Sequence, residues 1–74
     1  MYPTIYFCNE NCEMFDVFFN ENRLFGEIDG EVLSNAELID CIDSLTEIGT
    51  MRLIKACGGL KSFLHAYREL FRED

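Results

Sequence analysis

Positive charge is scarce in this chain: six Lys and Arg stand against fourteen Asp and Glu, with a single His. A net charge of -8 repels nucleic acid and anionic membrane surfaces and attracts basic ones, so nucleic acid and membrane are not expected partners. Long apolar runs are missing too. None approaches the ~18 residues of a membrane span, and the start, MYPTIYFCNE, lacks the basic segment and apolar stretch of a secretory signal. The expectation is a soluble cytoplasmic protein.

Motifs that carry chemistry are equally sparse. The sequence has no glycine-rich phosphate loop, nucleophile elbow or H-E-x-x-H, and Gly58-Gly59 lacks the Lys and Ser/Thr that a P-loop needs. His65 lies four residues before Glu69 on the polar side of an amphipathic segment, where a solvated pair accounts for it without catalysis. Cys8, Cys12, Cys41 and Cys57 would suffice with His65 for a tetrahedral zinc site, but only Cys8-x3-Cys12 is a close pair. Reduced, buried thiols are the expectation. Glu27, Asp29 and Glu31 around Gly30 lack the twelve-residue pattern of a calcium loop. Neither metal nor cofactor is assigned, no catalytic residue is named, and the chain is not expected to be an enzyme.

What the chain does have is apolar content. Hydrophobic residues make up 49% and aromatics 14%, seven of them Phe, more than a disordered tail of this charge would carry. It should fold, and 74 residues allow one domain, 1–74, with a β part at 4–33 and a helical part at 35–72. Asn-Glu-Asn occurs twice, at 9–11 and 20–22, each time between apolar runs. Asn tolerates left-handed backbone, so both tripeptides suit three-residue hairpin loops, and Asp29-Gly30 is a strong two-residue turn. These reversals predict strands at Thr4–Cys8, Cys12–Phe19, Leu24–Ile28 and Glu31–Leu33.

Ser34 and Glu37 form the S-x-x-E pattern of a capping box, and Leu38, Cys41, Ile42, Leu45 and Ile48 follow at helical spacing before Gly49 closes the segment. Thr50 is positioned to cap a short second helix at 51–57. After Gly58-Gly59, the residues Leu60, Phe63, Leu64, Tyr67, Leu70 and Phe71 make an amphipathic stripe. Strands first and helices after predict an α+β fold: a three- to four-stranded antiparallel meander with two or three helices on one sheet face.

Three-residue loops would place Thr4, Tyr6, Cys8, Cys12, Met14, Asp16, Phe18, Leu24, Gly26 and Ile28 on one face, with one formal charge. The opposite face would carry Ile5, Phe7, Glu13, Phe15, Val17, Phe19, Arg23, Phe25, Glu27 and Asp29, with four charges. The less charged face is expected beneath the helices. Phe7, Phe15, Phe19 and Phe25 then form an exposed aromatic patch suited to self-association.

The charge is unevenly distributed. Residues 1–50 hold eleven acids against Arg23 alone, a net of -10, whereas residues 51–74 hold five bases and three acids, a net of +2. Glu37, Asp40, Asp43 and Glu47 recur at helical spacing along the first helix, and Lys61, His65, Arg68 and Arg72 do so along the last. With Asp29, Glu31, Glu10 and Glu21 at the turns, the four carboxylates form a candidate docking surface that imitates nucleic-acid phosphates.

In tiny size, strong acidity and lack of a catalytic constellation, the chain resembles phage-encoded inhibitors of host nucleic-acid machinery, among them anti-CRISPR proteins and DNA mimics. The resemblance is one of bulk properties, with no motif behind it. It implies a phage or mobile-element protein that covers a basic nucleic-acid-binding surface of a host protein. The alternative is a structural homo-oligomer, such as a homodimer, or an accessory subunit associating through the aromatic sheet face.

Overall fold

The structure, a computed structural model, describes residues 4–8 and 14–72. Its first part is an antiparallel meander of β1 (Thr4–Cys8), β2 (Met14–Asn20), β3 (Arg23–Ile28) and the two-residue β4 (Glu31–Val32), in the order β1-β2-β3-β4. The helices α1 (Asn35–Asp43), α2 (Glu47–Ala56) and α3 (Leu60–Arg72) follow. α3 packs on β3 and on both other helices, while α2 reaches β1. The α+β meander expected from the element order is the architecture observed.

The turns decide which residues go inside. Asn20 pairs with Arg23, so the β2–β3 reversal uses two residues, Glu21 (φ 52°) and Asn22 (φ 63°), both left-handed as a type I′ turn requires. The expected three-residue loop is thus one residue too long, and β3 is flipped relative to that expectation. Asp29 (φ 51°) and Gly30 (φ 81°) form the two-residue turn that their sequence announces. In the first hairpin Cys8 pairs with Met14, where a three-residue loop would pair it with Cys12. The first Asn-Glu-Asn loop, and with it Glu10, lies outside the described residues.

The face assignment made from the sequence is corrected accordingly. Beneath the helices lie Ile5, Phe7, Phe15, Val17, Phe19, Leu24, Gly26 and Ile28, a set without a formal charge. Phe15 and Val17 are completely inaccessible, and Phe7 and Leu24 nearly so. The helices contribute Leu38 and Ile42 from α1, Leu53 from α2 with Cys57 just beyond it, and Phe63, Ala66 and Leu70 from α3. Each large side chain in this core is worth about 1.5–3 kcal/mol of burial, a large share of what so small a domain can muster. Gly26 lets α1 approach closely: a Cβ there would stand 2.7 Å from Leu38 Cδ1 and 3.1 Å from Leu33 Cδ1.

The helix boundaries also differ from expectation. α1 starts at the Ser34 capping box as predicted: Glu37 N donates to Ser34 Oγ at 3.2 Å, and Ser34 N donates to Glu37 Oε1 at 2.9 Å. It stops at Asp43, however, and does not run on to Ile48. Thr46 then caps α2, its Oγ1 accepting from Gly49 N at 3.1 Å. Gly49 is buried in the first turn of α2 where a helix stop was expected, and Thr50 lies inside that helix. The helix before Gly58-Gly59 therefore spans Glu47–Ala56 where 51–57 was expected, while the long amphipathic helix after it is as expected.

Candidate interaction surface

Glu37, Asp40 and Asp43 follow one another at three-residue intervals along the exposed side of α1. Glu47, expected on the same helix, opens α2 instead, and it too is exposed. Two of these carboxylates are held in place. The pair of bonds with Ser34 fixes Glu37 and keeps its pKa below the usual carboxylate value, as expected for an acid in the first turn of a helix. Asp43 Oδ1 accepts from the Tyr67 hydroxyl of α3 at 2.6 Å. That bond, aided by partial burial and the charge of Asp43, pushes the Tyr67 pKa up to about 12.

Neither partner is a cation, so neither bond sets an opposite charge beside the carboxylate. Among the described residues, no Lys or Arg of α2 or α3 forms an ion pair with Glu37, Asp40, Asp43 or Glu47. Arg72 of α3 turns elsewhere: its Nη1 lies 3.1 Å from Glu69 Oε2 on the same helix. Glu21, Asp29 and Glu31 are exposed at the turns. Asp29, Glu31 and Glu37 border one cleft of about 240 Å³ with Ile28, Val32 and Leu33, so the turn acids and the start of α1 meet. Among the described residues, no group of three or more His, Cys, Asp or Glu is placed to hold a metal ion, and no helix is long and apolar enough to cross a membrane.

The self-association residues are redistributed. Phe7 and Phe15 stack on each other inside the core with ring centroids 5.5 Å apart, and Phe19 is half-buried on the same face. Of the four, only Phe25 lies on the face opposite the helices, where it is half-buried and stacks on its cross-strand neighbour Phe18 at 5.5 Å. Tyr6, Met14 and Val32, each more than half exposed, share that face. No known protein family, curated protein or solved structure matches this chain.

A second apolar feature was hidden by the helix boundary. An open groove of about 800 Å³ is lined by Ile48, Met51, Ile54 and the stems of Arg52 and Lys55. Ile48 and Met51 are 75% and 64% exposed because α2 turns Gly49 and Leu53 inward instead. The sequence signal was Ser44-Leu45-Thr46, which holds two cap-forming residues within three positions. Arg52 continues from this groove over the ring of Phe7, its guanidinium carbon 5.2 Å from the centroid. Cys57 is buried, which pushes its thiol pKa up to about 11 and makes it a core residue.

Proposed function

We propose that this chain is a small acidic protein-binding inhibitor that occludes a basic nucleic-acid-binding surface of a host protein, in the manner of anti-CRISPR proteins and DNA mimics encoded by phages and mobile elements. The observation that carries this reading is the run of exposed carboxylates on α1 and at the start of α2, joined by those of the turns, with no cation paired to the four helix acids among the described residues. Fixed negative charges at helical spacing offer a basic groove what a nucleic-acid backbone offers it, and they speed encounter by steering. Asp43 and Glu37, restrained by Tyr67 and Ser34, lose less freedom on docking than unrestrained side chains would.

Displacement of labelled DNA from a panel of purified guide-loaded nucleases and other basic nucleic-acid-binding proteins tests the proposal. At least one of them should release its DNA as the chain is added. For that protein, calorimetry should show the direct affinity for the chain falling steeply with added salt and lost in a variant carrying Asp40→Lys, Asp43→Lys and Glu47→Lys. An affinity that is the same at low and high salt, or that survives the triple reversal, overturns the reading.

A further inference from the structure

The sheet face opposite the helices holds an apolar centre between opposite charges. Its rows follow from the register of β2 and β3: Asn20 beside Arg23, then Phe18 beside Phe25, then Asp16 beside Glu27. The stacked Phe18–Phe25 pair occupies the middle row. The Arg23 guanidinium carbon lies over the Phe25 ring, 6.0 Å from its centroid, so its charge sits above the face.

We infer that this face is the interface of a two-fold symmetric homodimer. When two copies of a sheet meet face to face, the two-fold axis lies in the interface, and an axis crossing the strands at the Phe18–Phe25 row sets each strand over its own antiparallel copy. Phe18 and Phe25 then meet their own counterparts, and Arg23 of each copy lies over Glu27 of the other. Asn20 lies over Asp16 and can donate its amide hydrogens to that carboxylate. An axis parallel to the strands would place Asp16 over Glu27, carboxylate on carboxylate, so charge selects the first arrangement.

The acids of α1 and α2 belong to the helical layer on the other side of the sheet, whereas the formal charges of this face are those of Asp16, Arg23 and Glu27. The inference thus stands on a different surface from the proposed docking site and does not depend on it. β1, β2 and β3, five to seven residues long and ~4.8 Å apart, with the two-residue β4 at the edge, give a face of roughly 15 Å in each direction. That is smaller than the ~800 Å² per partner of a standard interface, so the dimer is a weak one that forms at high protein concentration.

Sedimentation equilibrium over a concentration series tests it. The wild-type chain should move from 8.6 kDa toward twice that mass. Arg23→Glu and Glu27→Arg should each stay monomeric where the wild type is dimeric, and an equimolar mixture of the two variants should recover the dimer, because both cross-pairs are then attractive. Independently of any variant folding, dilution of the wild type should move the amide resonances of Phe18, Arg23, Phe25 and Glu27 and leave those of α1 and α3 in place. A wild type that stays monomeric at millimolar concentration, folded variants that still dimerise, a folded pair that does not recover association, or dilution shifts confined to the helices overturns the inference.

Discussion

The hydrogen bond from Tyr67 to Asp43 ties α3 to the end of α1. Its energetic signature is in the titration of the phenol. The folded pKa of Tyr67 is raised from an ordinary 10.0 to about 12, first by this bond, then by burial and by the charge of Asp43. The protonated form is thus favoured by folding, and the stability it contributes is complete below pH 10 and disappears as the pH rises toward about 12. Cys57 acts in the same direction between its ordinary 9.0 and about 11, through burial alone. Phenolate absorbance should therefore show a tyrosine that ionises only as the pH approaches about 12. Asp43→Asn should bring that tyrosine down and weaken the alkaline loss of stability seen in urea unfolding. If the late-ionising tyrosine is unchanged in Asp43→Asn, the bond is not its cause.

At the scale of elements, the β2–β3 turn holds a testable mismatch. Glu21 occupies left-handed backbone at φ 52°, a conformation that costs an ordinary residue about 1–2 kcal/mol and that Asn tolerates far better. Glu21→Asn should raise the urea midpoint by the equivalent of about 0.5–1 kcal/mol, whereas a three-residue loop would not reward the change in this way. The same turn explains what the sequence could and could not convey. Asp29-Gly30 admits one reading because Gly favours left-handed backbone at its position, and the structure follows it. Asn20-Glu21-Asn22 is chemically suited to a loop of two or three residues, and only the burial of Leu24, Gly26 and Ile28 beside Val17 selects two. One residue of slip exchanged the faces of β3 and misplaced Phe7 and Phe15 in the expected patch. The caps behave alike: Ser34 announces itself through Glu37, but Thr46 has Gly49 at the third position of its helix, so α2 begins without the acid that would reveal it. The acidic surface was legible because charge counts are independent of register. The aromatic face was not, because it depends on every pairing being known.

For the molecule as a whole, the charge that supports the proposed function also opposes folding. Glu37, Asp40 and Asp43 are like charges at neighbouring helical positions, each such pair costing ~0.2–0.5 kcal/mol, and the native state gathers them more tightly than an unfolded chain does. Salt should relieve this strain. The screening length falls from ~10 Å at 0.1 M salt to ~3 Å at 1 M, shorter than the spacing between successive acids on the helix. Added sodium chloride should hence raise the thermal midpoint, in contrast to a protein held together by surface ion pairs, which salt weakens. Asp40→Lys sharpens the test, since it turns two repulsive neighbours into attractive ones. The variant should be more stable than wild type by about 0.5–1 kcal/mol in low salt, with the advantage shrinking as salt is added. Stability that falls with salt in the wild type, or an Asp40→Lys variant no more stable than its parent, would mean that the carboxylates are neutralised within the molecule. In that case they present no field for a basic partner to read.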